Sequence, residues 1–375
     1  MQHFDVIVLG IGGVGSAVLD QLAQRGVRAM GIDRFHPPHD RGSTHGQTRV
    51  IRQAYFEHPD YVPLLGESYR LWHALEDRIG KQLYHEVGLI EVGPADGVVV
   101  PGVLRAAAEH NLSVQSMTAA EIRARWTGFS VPEDLVGVFE PGAGYLLVEE
   151  CVEAHLAAAE TAGATLMVDT AVQGWTATQR EVRVQTDRGE LAADRLVITA
   201  GAWASQMLVD SNIPLTVLRK SLFWFATGSA DYDVAAGFPV FLFELLQGVF
   251  YGFPKLDVRG VKIAEHSGGY TVRDPLAVDR SIDPQEQRRV VDVLSLCLPD
   301  VSPRVTDHAV CLYTMSMDEH FIVDRHPVHS NVVFAAGLSG HGFKFAPALG
   351  RALADLAVDG TTTLPIEFLS RQRFD

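Results

Sequence analysis

The chain opens with an apolar run, a stretch of helically spaced apolar positions and a second apolar run. Residues 5–9, Asp-Val-Ile-Val-Leu, end at Gly10, as a buried parallel strand does. Over residues 16–25 the apolar positions recur at helical spacing, and Gly26 then supplies a helix stop. Residues 28–33 have the pattern of another strand. Together these segments predict one βαβ unit.

Helices and strands continue to alternate further along the chain. The pattern predicts helices over 67–78, 148–162 and 347–358. It predicts a further helix directly after the capping box formed by Thr118 and Glu121. It predicts strands over 165–168, 195–199 and 331–336. From about residue 222 to 264 the pattern changes to aromatic alternation with Gly and Pro turns, which indicates an antiparallel sheet.

Composition and charge exclude several classes of protein. The 375 residues are 47% hydrophobic and 21% charged, which allows a large core. The formal net charge of −15 repels nucleic acids and anionic membrane surfaces, so we predict neither as a partner. No apolar run approaches the ~20 residues of a membrane span. Three cysteines argue against a disulfide framework and, without a basic secretory leader, predict a cytoplasmic protein.

Gly10, Gly12 and Gly15 form a G-x-G-x-x-G pattern after the first strand and at the start of the first helix. Glycine at these positions allows a tight turn, close approach of the backbone to a pyrophosphate, and close helix-to-strand packing. Asp33 follows 18 residues after Gly15 and can accept hydrogen bonds from ribose hydroxyls. The fingerprint predicts a dinucleotide and leaves FAD and NAD open.

A second glycine-rich turn, residues 337–344, separates the last predicted strand from the last helix. Gly340 and Gly342 free the backbone to approach a flat ring, and the helix start offers N–H donors and partial positive charge. A reduced flavin carries negative charge that such a terminus stabilises. The alternative interpretation is an ordinary strand-to-helix loop.

Five segments in this order resemble the monomeric sarcosine oxidase family of flavoprotein amine oxidases, which includes N-methyltryptophan oxidase and pipecolate oxidase. The resemblance covers essentially the whole chain. Its segments are the fingerprint at 10–15, Pro-Pro-His at 37–39 with Gly-Ser-Thr-His-Gly-Gln-Thr-Arg-Val-Ile-Arg at 42–52, Tyr-Gly-Phe-Pro at 251–254, Val-Cys-Leu-Tyr-Thr at 310–314, and Gly-His-Gly-Phe-Lys at 340–344.

The resemblance implies an α/β fold of mixed α+β content. In it, a Rossmann-like FAD-binding domain carries an inserted, mainly antiparallel substrate domain. We predict that the FAD-binding domain is discontinuous over 1–85, 145–218 and 318–375. The substrate domain is then expected over 86–144 and 219–317, because nucleotide-fold elements sit at the start, middle and end of the chain.

The resemblance also implies FAD attached by a thioether from Cys311 to the flavin 8α-carbon. Without the motif, a lone cysteine in an apolar strand is more often a buried small hydrophobe. Arg49 matches an arginine beside the flavin ring, and His45 matches its neighbour. The histidines at 36, 39 and 45 predict no metal site, because two prolines interrupt them and no carboxylate or cysteine set completes the ligands.

Arg52 and Lys344 match the pair that holds the substrate carboxylate in the family, a task suited to a planar fork and an ammonium. Tyr251 and His266 match residues that line the substrate cavity and contact the amine. Lys262 matches the lysine through which the family activates oxygen, since fixed positive charge stabilises superoxide. From the local pattern alone, a strand lysine facing solvent is the alternative.

We therefore predict a monomeric FAD-dependent oxidase of a secondary amino acid that uses O2 and yields a primary amino acid, formaldehyde and hydrogen peroxide. Thr44 and Gln47 stand where His and Asp are frequent in the family, and residues 242–247 are bulkier and more apolar than a sarcosine pocket suggests. Alternatives are an N-methyltryptophan or pipecolate oxidase, a flavin dehydrogenase with another acceptor, a non-catalytic flavoprotein, and an NAD-dependent dehydrogenase.

Overall fold

Eight α-helices and twenty β-strands make up the regular structure of residues 3–374, the part that the computed structural model describes. The helices are α1 (Gly13–Gln24), α2 (Val62–Ile79), α3 (Val99–His110), α4 (Ala119–Arg125), α5 (Val148–Thr161), α6 (Ala204–Met207), α7 (Pro284–Cys297) and α8 (Ala346–Val358). The strands are β1 (His3–Leu9), β2 (Ala29–Ile32), β3 (Thr48–Ile51), β4 (Tyr84–Glu86), β5 (Leu89–Gly93), β6 (Gln115–Thr118), β7 (Val136–Glu140), β8 (Gly144–Leu147), β9 (Thr165–Met167), β10 (Val172–Ala177), β11 (Val182–Thr186), β12 (Gly189–Ile198), β13 (Thr216–Thr227), β14 (Val240–Leu245), β15 (Gly248–Phe253), β16 (Val261–Glu265), β17 (Tyr270–Thr271), β18 (Val301–Met315), β19 (Ile322–Arg325) and β20 (Val332–Ala336).

An eight-stranded sheet carries the dinucleotide fingerprint. Its order is β10-β11-β12-β1-β2-β9, with β20 also paired to β12 and β19 to β20. Strand β1 runs parallel to both β2 and β12, so the predicted βαβ unit is confirmed. Helix α1 packs between α5 and α8 over one face of the sheet, where apolar residues such as Val18, Leu22 and Leu353 are fully buried.

A nine-stranded, mainly antiparallel sheet forms the second layer of the molecule. Its order is β17-β13-β16-β15-β14-β5-β7-β6, with β18 paired to β13 and only the β14–β5 pair parallel among these strands. Alternate residues of a strand point to opposite faces. One face therefore collects an aromatic core that includes Phe223 and Phe243, while the other carries Trp224, Tyr251 and Cys311 toward the site described below.

A small sheet of order β3-β8-β4 completes the structure, and β3 carries Arg49 with Arg52 just beyond its end. The mixed α/β fold class is confirmed. Helix α2 begins earlier than predicted, at Val62, because the N-terminal turn accommodates Pro63. The capping box that starts α4 is present as predicted. Among residues 3–374, no helix combines the length and the apolarity that a membrane crossing needs.

The predicted domain bounds stay a prediction. The sheets are compatible with them, because the eight-stranded sheet draws on chain segments 3–9, 29–32, 165–198 and 322–336, and the nine-stranded sheet on 89–140 and 216–315. Met1, Gln2 and Asp375, which those bounds include, lie outside the described residues.

Candidate active site

The three fingerprint glycines have different neighbours. A Cβ on Gly15 would lie 1.9 Å from the Gly10 carbonyl oxygen, and one on Gly10, whose φ is +82°, would lie 2.6 Å from the Thr199 carbonyl oxygen. Both positions therefore need glycine for the turn and its packing. A Cβ on Gly12 would meet nothing closer than Thr44 Oγ1 at 3.5 Å, so the space before Gly12 is open. That space suits a pyrophosphate.

Asp33 follows β2 and lies at the edge of the same cleft. Its Oδ2 accepts from the Ile11 amide at 2.9 Å and its Oδ1 from the Phe35 amide at 3.0 Å, which fixes the carboxylate. The His39 ring nitrogen Nε2 lies 3.4 Å from Oδ1. A carboxylate oxygen can accept more than one hydrogen bond, so Asp33 retains capacity for ribose hydroxyls.

Both glycine-rich turns line one long cleft of about 1490 Å³, part of it open to solvent. Glycine-lined turns at helix N-termini along one cleft fit a dinucleotide. In the second turn, a Cβ on Gly340 would lie 2.1 Å from the Tyr313 ring and one on Gly342 would lie 2.7 Å from Leu338. Both positions therefore need glycine because the turn packs closely on protein neighbours. The sequence had suggested only that glycine lets the backbone approach a flat ring.

Cys311 and Arg49 lie together beside the cleft. The Arg49 Nη2 group is 3.4 Å from the Cys311 Sγ and donates to the Ser43 carbonyl at 2.8 Å. Burial and the Arg49 charge lower the pKa of His45 to about 4, so that ring is neutral. Its Nε2 has no hydrogen-bond partner among the described residues. His45 itself lines neither the cleft nor the neighbouring cavity, so the structure brings Arg49 and Cys311 together beside the cleft and leaves His45 behind them.

Lys262 is buried, which excludes the alternative of a solvent-facing strand lysine. The side chain is 1% exposed and its Nζ donates to the Gly46 and Thr48 carbonyls and to Thr48 Oγ1. Arg49 Nη1 donates to the same Thr48 carbonyl at 2.8 Å, so the two cations share an acceptor. Burial and the Arg49 charge hold the pKa of Lys262 well below its usual range. Burial therefore disfavours the ammonium, while the two carbonyls and the hydroxyl around Nζ offer it hydrogen-bond partners.

A second cavity of about 570 Å³, part of it open to solvent, shares lining residues with the cleft and therefore adjoins it. The shared residues are Arg49, Tyr313, Gly340 and Phe343. All four predicted substrate-side residues line this second cavity, which we call the substrate pocket: Arg52, Tyr251, His266 and Lys344. Burial lowers the pKa of His266 to about 4, so its ring is neutral at physiological pH.

The Arg52 guanidinium already has a carboxylate partner within the protein. Its Nη2 donates to both oxygens of Glu57 at 2.8 Å, and its plane lies over Tyr55 and Phe56. Although burial acts in the opposite direction, Arg52 and other cations lower the pKa of Glu57 to about 2. A substrate carboxylate must therefore compete with Glu57 for this arginine.

Lys344 lies across the substrate pocket, where its Nζ donates to the His341 carbonyl at 2.8 Å. Burial and the Arg52 charge lower its pKa to about 7. The His341 ring is oriented by its other contacts. Its Nε2 faces the Glu319 carbonyl at 3.0 Å and must donate, so Nδ1 accepts from the Tyr55 hydroxyl.

Glu91 is a buried acid behind the site, in contact with Arg52, that sequence reasoning missed. It lies on β5, is fully buried, and neither of its carboxylate oxygens has a hydrogen-bond partner among residues 3–374. Its Oε1 is 3.6 Å from Arg52 Nε. Burial raises the pKa of Glu91 to about 8, opposed by Arg52. The available signal was an acid inside the apolar run Leu-Ile-Glu-Val.

The apolar stretch 242–247 contributes less to the pocket than its sequence suggests. Leu242 lines the pocket, but Leu246 sits in the hairpin turn and is fully exposed. Glu244 accepts from the backbone amides at the start of α3. The bulky, apolar wall that the sequence predicts is therefore Leu242 with Leu89 and Phe56 from elsewhere in the chain.

Comparison with known proteins gives one family and a consistent set of relatives. Residues 5–356 match the family described as FAD dependent oxidoreductase. A monomeric sarcosine oxidase of Bacillus sp. (strain B-0618) is 39% identical over 99% of this chain and 96% of its own. An N-methyl-L-tryptophan oxidase of Yersinia pestis (strain Pestoides F) is 36% identical over 100% of both chains.

Solved structures agree with these relatives at the level of the fold. NikD, described as an unusual amino acid oxidase essential for nikkomycin biosynthesis, superposes with a TM-score of 0.88 at 26% identity. The match covers 99% of this chain and 98% of NikD. An L-proline dehydrogenase from P. horikoshii superposes with a TM-score of 0.86 at 22% identity over 100% of this chain and 98% of its own, a likeness of fold alone.

Proposed function

This chain belongs to the FAD dependent oxidoreductase family, and from that premise we propose that it is an oxidase of secondary, N-methylated amino acids. The observation that carries the proposal is the meeting of two cavities. A pocket lined by the buried Arg52 and Lys344 side chains adjoins, and shares four lining residues with, a cleft lined by the dinucleotide fingerprint. Relatives named for sarcosine and for N-methyl-L-tryptophan support the substrate class.

The chain's own residues would hold the cofactor in the long cleft. Gly12 leaves room for the pyrophosphate, and Asp33 would accept from the ribose hydroxyls. FAD held there would supply an acceptor for a hydride equivalent from the carbon beside the substrate nitrogen and a donor of two electrons to oxygen, which would leave as hydrogen peroxide. We further propose covalent attachment through Cys311, supported by the neighbouring Arg49 and the neutral His45.

Arg52 and Lys344 would bind the substrate carboxylate, which would replace Glu57 as the partner of the Arg52 guanidinium. This anchoring would present the substrate nitrogen to the wall formed by Tyr251 and His266. Because His266 is neutral, it does not repel an amine and can exchange a hydrogen bond with it. Water then hydrolyses an N-methylene imine to formaldehyde and the primary amino acid.

Lys262 and Arg49 would supply positive charge where oxygen is reduced. The first electron transfer to oxygen makes an anion, and preorganised buried cations stabilise such a charge more strongly than exposed ones do. The Thr48 carbonyl accepts from both side chains and so holds them in place. This arrangement favours an oxidase over a dehydrogenase that uses another acceptor. We propose a monomer, in keeping with the name of the Bacillus relative.

The pocket wall favours a second candidate within the same class, an N-methyl amino acid with a larger side chain. Leu89, Leu242 and Phe56 line the pocket and offer apolar surface that sarcosine cannot use. The relative named for N-methyl-L-tryptophan matches this chain over its full length.

Peroxide release tests the proposal. Purified protein is assayed against sarcosine, N-methylalanine, N-methyltryptophan, proline and pipecolate under air. We expect peroxide with at least one N-methyl amino acid, together with formaldehyde in equal amount. Arg52→Met should raise KM strongly for every active substrate. Flavin present but no peroxide from the whole panel would refute the oxidase assignment.

A further inference from the structure

A buried lysine outside the predicted site holds the segment that carries His266. Lys220 lies on β13, is 4% exposed, and donates from Nζ to three consecutive carbonyls. These are the carbonyls of His266, Ser267 and Gly268, at 2.7, 2.7 and 2.6 Å. Three acceptors that cannot donate require all three N–H groups, so the side chain is an ammonium in this arrangement.

The backbone of the segment is shaped around that ammonium. Gly268 and Gly269 have φ of +65° and +107°, conformations that residues with a side chain rarely adopt. A Cβ on Gly269 would lie 3.2 Å from Lys220 Cε and 2.9 Å from the Arg219 carbonyl oxygen. The chain therefore turns tightly against the lysine side chain, and the two glycines permit it.

The same ammonium touches a second wall of the substrate pocket. Lys220 Nζ lies 4.9 Å from the centre of the Tyr313 ring, a cation–π contact. The rings of Tyr313 and His266 are 5.8 Å apart, and those of His266 and Tyr251 are 6.3 Å apart. One buried charge thus contacts both the backbone behind His266 and the ring beside it.

We propose that Lys220 is a positioning residue for substrate specificity, whose ammonium fixes residues 266–268 and so sets the wall that His266 and Tyr313 present to the substrate. Lys220 itself does not line the substrate pocket among the described residues. It acts through the carbonyls that it binds. The proposal rests on the proposed function for the identity of the substrate. The three hydrogen bonds from Lys220 Nζ to the carbonyls of residues 266–268, which we call the clamp, rest on the geometry alone.

The clamp is tested in the free holoenzyme by hydrogen–deuterium exchange of the peptide that covers residues 266–271. In Lys220→Met, we expect exchange on the order of tenfold faster, because the carbonyls lose their shared donor. Lys255→Met is the matched control, since Lys255 pairs with Asp233 at 2.9 Å and is partly exposed. Unchanged exchange in Lys220→Met would overturn the proposal.

The consequence for specificity is tested by steady-state kinetics with the best N-methyl amino acid. Lys220→Met should raise KM about tenfold, or roughly 1.4 kcal/mol, while kcat stays within about threefold, since the cations at the oxygen site are untouched. Lys220→Arg keeps the positive charge and should bring KM part of the way back to the wild-type value. This variant also tests the proposal if the methionine variant does not fold. Faster exchange with unchanged KM would overturn the specificity role. A wild-type protein without activity would refute the proposed function, while the exchange measurement would still decide the clamp.

Discussion

Replacing Glu91 with glutamine should stabilise the protein at neutral and alkaline pH. The carboxylate is fully buried, has no hydrogen-bond partner among the described residues, and lies 3.6 Å from Arg52 Nε. Burial raises its pKa from 4.5 to about 8. Between those values the folded protein keeps a proton that the unfolded chain releases, so the free energy of unfolding falls as the pH rises.

The size of the effect follows from that pH interval. Each pH unit contributes ~1.4 kcal/mol, which sets an upper bound on the order of 5 kcal/mol above pH 8. Local relaxation and water entry reduce this, and we expect Glu91→Gln to gain about 1–4 kcal/mol at about pH 8. Well below pH 4.5 both states hold the proton, so the gain should vanish there.

The assay is urea unfolding followed by tryptophan fluorescence at about pH 5, 7 and 9. Glu57→Gln is a control of opposite sign, because Glu57 binds the same arginine with its pKa lowered to about 2. That carboxylate stabilises the fold above its unfolded pKa of 4.5 and loses this effect as the pH falls toward 2. Glu57→Gln should therefore destabilise at about pH 7. A Glu91→Gln variant that is less stable at every pH, or equally stabilised at all of them, would refute the reasoning.

Three further predictions concern the cofactor and oxygen. Lys262→Met should slow reoxidation of the reduced enzyme by about 10²–10³-fold and change anaerobic reduction far less, as measured by stopped flow. Equal effects on both half-reactions would contradict a role of Lys262 in the reaction with oxygen. Gly12→Ala should fold but lose FAD, because its Cβ meets open space in the protein, whereas Gly15→Ala should not fold, because its Cβ lies 1.9 Å from the Gly10 carbonyl. Circular dichroism and flavin content separate the two. Cys311→Ser should release its flavin on acid precipitation, and a wild-type flavin released in the same way would contradict covalent attachment.

Local pattern and the family resemblance predicted the elements well, and the candidate residues stay predictions. The βαβ unit, the capping box of α4 and the antiparallel sheet are all present. Period-two alternation in a strand says which residues share a face, but not whether that face is covered. Lys262 is buried because Trp224 and Phe253 lie around its ammonium, and both come from other strands.

The buried titratable residues that sequence reasoning missed depend on long-range contacts. Glu91 and Lys220 each lie inside a strand, and their partners are distant in the chain: Arg52 for one, and residues 266–268 for the other. Neither spacing nor composition records such a pairing. For residues 242–247 the sequence suggested more pocket wall than the structure has. A hairpin turn exposes Leu246 and keeps it out of the pocket wall.

Anaerobic reduction followed by admission of oxygen tests the central claim most directly. The purified yellow protein is mixed without oxygen with an N-methyl amino acid, sarcosine or N-methyltryptophan, and the visible flavin absorbance is followed. We predict that the flavin bleaches, and that oxygen then restores the colour with one hydrogen peroxide per flavin. A flavin that no secondary amino acid bleaches, or that stays reduced in air, would contradict the account.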